Sequence, residues 1–132
     1  MRRLQPVFLT LDEVLALHAD QIARHGGRPG LRDLGLLELA LAMPRTTLGR
    51  VHVHPSLPEM AAAYLFHLAG NQPFVDGNER VGLAAAIAFL GLNGLWLEAD
   101  PDELAELVLR TARGEASKAE LAEFIRERVV EA

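Results

Sequence analysis

Asn71-Gln72-Pro73-Phe74-Val75-Asp76-Gly77-Asn78-Glu79-Arg80-Val81-Gly82 is the stretch from which the rest of the chain is read. Pro73 breaks the helical pattern before it, and Asp76-Gly77-Asn78 is a turn signal with Asn78 suited to cap the next helix. From about Glu79 to Asn93 the residues are small and apolar on every face, which predicts a central buried helix. The free N–H groups at the start of such a helix face the loop 74–78 and attract anions, phosphate above all. The loop residues suit that role. Gly77 lets the backbone approach a ligand, and Asn78 can donate from its side chain. Asp76 offers a hard oxygen for Mg²⁺, and Arg80 a fork for phosphate oxygens. Phe74, apolar inside a polar loop, is expected to plug into the core and pin the loop. The same residues also suit an ordinary inter-helix turn with a good N-cap.

Working outward, helix signals dominate. Thr10-Leu11-Asp12-Glu13 reads as a capping box, with Leu11, Val14, Leu15, His18 and Ile22 on one face and Gly26-Gly27 as the stop. Asp33 can cap a helix through Leu34, Leu37 and Leu41 that Pro44 ends. Residues 44 to 55 carry the β-formers Thr46, Thr47, Val51 and Val53 and no helical period, so they form a loop or small hairpin-like flap. Ser56-Leu57-Pro58-Glu59, Asp100-Pro101-Asp102-Glu103 and Ser117-Lys118-Ala119-Glu120 read as three further capping boxes, the last opening a helix to about Val130. Leu95-Trp96-Leu97 is a short extended link. The expectation is an all-α, single-domain helical bundle over residues 1–132, with five to seven helices around one core.

Composition excludes several function classes. Thirteen Lys and Arg against 18 Asp and Glu give a net charge of −5, without the overall basic field of a nucleic-acid binder. Cysteine is absent, so there is no thiolate metal site and no cysteine nucleophile. The most apolar window, Val81 to Leu97, falls short of the about 20 residues a membrane span needs. The basic start Met1-Arg2-Arg3-Leu4-Gln5-Pro6 is followed by Thr10, Asp12 and Glu13 rather than by a signal-peptide apolar stretch, so a cytoplasmic location is expected.

The motif resembles that of the Fic/Doc superfamily, H-x-F-x-[D/E]-[G/A]-N-[G/K]-R, at Phe74, Asp76, Gly77, Asn78 and Arg80. The segments around Leu9-Thr10, Asp33 to Ala42, His54 to Leu57 and Ala84 to Gly94 are similar to its death-on-curing (Doc) branch. Fic enzymes carry a second arginine three residues after the first, where this chain has Leu83. The resemblance implies a compact helical toxin, paired with an antitoxin. Such a toxin transfers a phosphate from ATP to a threonine of elongation factor Tu and arrests translation. It implies ATP and Mg²⁺ as cofactors, Asp76 as the Mg²⁺ ligand and Gly77, Asn78 and position 79 around the anion. It also implies Arg80 on phosphate, and a flap carrying Thr46, Thr47, Val51 and His52 that lines up the target. Another translation protein is open as the target, as is a homo-oligomer. No direct nucleic-acid or membrane partner is expected.

Two departures oppose that activity. The motif histidine, the general base, is Gln72 here, and losing a positioned base typically costs about 10²–10⁴ in rate. The motif lysine is Glu79, whose carboxylate repels nucleotide phosphates by roughly 3 kcal/mol per unit charge at about 5 Å and an effective dielectric near 20. A carboxylate there favours the helix itself by about 0.3–1 kcal/mol. His67 is expected to be a partly buried structural histidine, and His52 and His54 to be exposed loop residues. His18 and His25 read as helix-face and helix-end residues, and Trp96 as core. The residues from Glu120 to Glu131 read as a solvated helix face. Three functions follow: an impaired Doc-type phosphotransferase, an active phospho- or nucleotidyl transferase with another base, and a non-catalytic module binding an antitoxin or target peptide.

Overall fold

The computed structural model describes residues 5–132; Met1 to Leu4, the basic start, lie outside the described residues. Six α-helices form among them: α1 (Leu11–His25), α2 (Leu34–Ala42), α3 (Leu57–Asn71), α4 (Asn78–Leu92), α5 (Pro101–Ala112) and α6 (Lys118–Arg126). The all-α expectation holds, with two small antiparallel strand pairs added. β1 (Thr47–Leu48) and β2 (Val51–His52) make the expected flap, turning at Gly49-Arg50. β3 (Leu95–Leu97) pairs with β4 (Val129–Glu131), Trp96 opposite Val130.

The centre is the α3–α4 pair. Met60, Ala61, Ala62, Tyr64 and Leu65 on α3 and Val81, Ala85, Ala86, Phe89 and Leu90 on α4 are buried and belong to one continuous core cluster with Val14, Leu37, Leu121 and Ile125. The small residues let the two helices approach closely. A Cβ on Gly82 would stand 3.2 Å from the Leu65 carbonyl oxygen. Tyr64 is fully buried, and its hydroxyl accepts the Leu9 N–H at 3.0 Å, so the polar tip of the largest core side chain is satisfied.

Helix starts follow the cap residues. Thr10, Asp33, Ser56, Asp100 and Ser117 each accept a first-turn N–H of their helix. Only Thr10 and Glu13 close a reciprocal box among the described residues. The other glutamates turn to arginines of other segments: Glu59 to Arg126, Glu103 to Arg128 and Glu120 to Arg110. A charged partner outcompetes a backbone N–H.

Four expectations are corrected. The last helix stops at Arg126, because Val129–Glu131 can join the β3 edge instead, so the solvated helix face does not reach Glu131. Trp96 is 54% exposed rather than core, since its strand turns it outward. His54 is buried and His52 partly buried rather than exposed, and the Nδ1 of each is enclosed without a partner. Asn78 is the first residue inside α4 rather than its cap, and Gly77 caps the helix in a left-handed conformation. No helix among the described residues is long and apolar enough to cross a membrane.

Candidate functional site

The loop between α3 and α4 is built around Phe74 and Asn78. Phe74 is buried, as expected. The Asn78 side-chain amide clamps it by accepting the Phe74 N–H at 2.9 Å and donating to the Phe74 carbonyl at 3.1 Å. Asn78 is therefore engaged within the loop, so its side chain is not a free ligand donor, contrary to expectation. What it leaves free is backbone. The N–H groups of Asn78, Glu79 and Arg80 have no acceptor among the described residues, and the first N–H of the helix to be satisfied is that of Val81, on Gly77. The expected free N–H groups at the helix start are thus present.

A second segment, the α1–α2 connection, zips along this loop. Arg32 and Asp33 N–H both donate to the Pro73 carbonyl, Val75 N–H donates to Gly30, and Leu31 bridges to Phe74. The Arg32 guanidinium donates to the carbonyls of Gln72 at 2.8 Å and Asn71 at 3.0 Å, placing positive charge at the C-terminus of α3. Arg80 reaches back to donate to the Gly26 carbonyl at 3.0 Å.

Asp76 sits where these two segments meet. Its Oδ2 accepts the Arg28 N–H at 3.1 Å and its Oδ1 the Gly77 N–H at 2.9 Å. These bonds, with Arg80 and Arg28 nearby, hold its carboxyl below the usual carboxylate range. Gly27 permits the arrangement. Its φ is +115°, and a Cβ there would stand 2.9 Å from Asp76 Oδ2 and 3.2 Å from Arg80 Nη2. Behind the loop, the buried His18 ring stacks on Phe74 at 3.7 Å and 7°. Its Nε2 lies 2.8 Å from the Asp76 carbonyl oxygen. A carbonyl only accepts, so that nitrogen carries the proton.

Gln72 ends α3 in the left-handed region, φ 49° and ψ 57°, the only non-glycine residue with positive φ among those described. Its side chain is exposed and makes no hydrogen bond among the described residues. Glu79 is half-buried in the first turn of α4, with no ion pair there. The structure therefore brings Gln72, Asp76, Gly77, Glu79 and Arg80 to one loop and helix start. The flap residues Thr46, Thr47, Val51 and His52 lie on the separate hairpin. No hydrogen bond among the described residues joins that hairpin to the motif loop; His52 leans on Phe8 instead, ring centroids 6.3 Å apart.

Sequence reasoning missed His18, Gly27, Arg28 and Arg32. His18 occupied an apolar helix stripe, which marks an inward-facing histidine. Gly27 looked like one half of a helix stop. Among the described residues no group of three or more His, Asp or Glu could hold a metal. One carboxylate with lone pairs to spare fits a Mg²⁺ that shares its coordination with substrate phosphates, rather than a cation caged by protein alone.

The chain is similar to known proteins. The Fic/DOC family matches residues 8–90, a span that contains the whole motif loop and both segments around it. The chain is 42% identical over 120 residues to the Toxin Doc of Mycolicibacterium smegmatis, covering 86% of this chain and 92% of that protein. It is 34% identical over 126 residues to the Protein kinase doc of Escherichia phage P1, covering 96% of this chain and 94% of that protein.

Proposed function

Because the chain belongs to the Fic/DOC family, we propose that it is a Doc-type toxin, built for phosphate transfer from ATP but weakened as a catalyst. Its partner would be an antitoxin, and its target a threonine of elongation factor Tu or another translation protein. The observation that carries the weakened activity is Gln72. The position where the family motif has a histidine holds an exposed amide that takes no proton at neutral pH. Two of the other histidines are already engaged. His18 is spent on Phe74 and Asp76, and His67 on Lys118.

The remaining parts suit phosphate handling. The free N–H groups of Asn78, Glu79 and Arg80 and the Arg80 fork would cradle phosphate oxygens. Asp76, kept ionised by two backbone N–H donors, would hold Mg²⁺. The cation, when bound, neutralises charge on the transferring group. Glu79 opposes the nucleotide and weakens its hold. The hairpin carrying Thr46, Thr47, Val51 and His52 would position the target segment.

The test is phosphate transfer from radiolabelled ATP with Mg²⁺ to purified elongation factor Tu, comparing the chain with Gln72→His. We expect the histidine variant to be faster by about 10²–10⁴ and to arrest growth in the absence of antitoxin. Equal transfer by the two proteins would refute the weakened-catalyst reading. An alternative base has one structural candidate, His25, exposed and next to the Gly26 carbonyl that Arg80 grips. If it serves, His25→Ala abolishes whatever transfer the unmodified chain performs.

A further inference from the structure

Away from the motif, a half-buried lysine has no ion-pair partner among the described residues. Lys118 opens α6 and donates from Nζ to the Nε2 of His67 on α3 at 3.0 Å. It stands 5.7 Å from the Phe66 ring centroid, and no carboxylate pairs with it among the described residues. Burial pushes its pKa down. Burial first, then the charge of Lys118, pushes His67 down to about 4, so its ring is a neutral acceptor. An ammonium with one neutral partner has two donors left over.

Those donors adjoin a cavity of about 310 Å³ between α3 and α6, lined by Lys118 and also by His54, Glu59, Glu123 and Arg126. His54 is 7% exposed, and its Nδ1 is enclosed without a partner. The two carboxylates could answer Lys118 but do not. Both are taken by one guanidinium, Glu59 at 3.0 Å from Arg126 Nη2 and Glu123 at 2.6 Å from Arg126 Nη1. The cavity is therefore polarised: two carboxylates on one guanidinium leave the Arg126 end net negative, while the Lys118 end has no directly bonded carboxylate.

We propose that this cavity is an oxyanion site, taking a phosphate or carboxylate group against Lys118 and His54, separate from the site at the start of α4. A bound anion gives Lys118 a directly bonded counter-charge and accepts its free donors. It also favours the protonated form of both imidazoles, against Lys118 and Arg126 and together with Glu59 and Glu123. Binding and proton uptake are thereby linked, and the site tightens as pH falls.

The test follows the His54 and His67 ring signals of the whole chain by NMR. Inorganic phosphate or acetate is titrated in at constant ionic strength, with chloride as the control. We expect saturable shifts of both rings at millimolar anion and an upward move of the His67 titration midpoint. Lys118→Met is expected to weaken the response roughly tenfold or more, and Lys118→Arg to retain it. Lys118→Gln, which still donates to His67, repeats the test if the methionine variant is unstable. A response to phosphate alone assigns a phosphate-bearing ligand, and an equal response to acetate a carboxylate. Shifts confined to the Asn78, Glu79 and Arg80 amides would overturn the proposal, as would a His67 response that survives both Lys118→Met and Lys118→Gln.

Discussion

Replacing His18 by phenylalanine tests what holds the motif loop in place. The native ring does two things: it stacks on Phe74 at 3.7 Å and donates to the Asp76 carbonyl at 2.8 Å. Phenylalanine keeps the ring and removes the donor. A neutral hydrogen bond contributes about 0.5–1.5 kcal/mol net, and a buried acceptor left alone costs about 1–3 kcal/mol. Asp76 is only partly buried, so water replaces the lost donor and the low range applies. The expected loss is about 1 kcal/mol, or about 4 °C in melting temperature. His18→Ala also loses the stack, worth about 0.5–1.5 kcal/mol, and leaves a void, for a total of about 3 kcal/mol. Urea unfolding measures the global loss, and amide exchange at Gly77 and Val81, both hydrogen-bonded in the loop, measures the local one. Exchange at those two amides should accelerate more than the global change accounts for, because the Asp76 carbonyl leads directly into α4. The reasoning fails if His18→Phe matches the native chain in both measurements, or if His18→Ala costs no more than His18→Phe.

Further perturbations have defined signs. Gln72→Gly should raise stability by about 1 kcal/mol in urea unfolding, because it removes a side chain from left-handed backbone; an unchanged midpoint would count against strain at φ 49°. Gly27→Ala should cost about 3 kcal/mol by thermal denaturation, since the backbone at φ +115° and the 2.9 Å approach to Asp76 Oδ2 both exclude a Cβ. Glu79→Lys should tighten binding of ATP with Mg²⁺ by about tenfold in calorimetry, part of the Coulomb term being lost to solvent. Acid should destabilise the fold. His67 titrates near 4 when folded, against 6.5 for the free side chain, so the unfolded chain binds the proton first and stability falls from pH 6.5 down toward 4. Asp76, also held low, adds its loss below the ordinary carboxylate range. Melting temperature against pH should show the first step, and His67→Gln should shrink it, the remainder coming from His54, which burial also holds low.

Features whose cause is local were legible in the sequence. Each predicted cap residue except Asn78 binds its own helix, because an N-cap needs only the next three residues. Features set by a distant partner were not. Glu59, Glu103 and Glu120 left their boxes for arginines on other segments, β4 pairs with the distant β3, and the buried His54 shares a cavity with α6. Half of the candidate site belongs to this second kind, since Gly27, Arg28 and Arg32 act on loop residues about forty to fifty positions away. The same division accounts for which motif positions depart from the family pattern. Phe74, Asp76, Asn78 and Arg80 match it, and each is bonded or buried within the protein. Gln72 and Glu79 depart from it, and neither side chain makes a hydrogen bond among the described residues. Glutamine at 72 is exposed, and glutamate at 79 suits a helix start. The two positions with no side-chain partner among the described residues are thus the two at which a departure from the motif costs the fold least, and on the proposed reading they are where a base is removed and a charge reversed. Restoring Gln72→His and Glu79→Lys together should therefore leave stability within about 1 kcal/mol of the native chain while changing phosphate transfer by orders of magnitude.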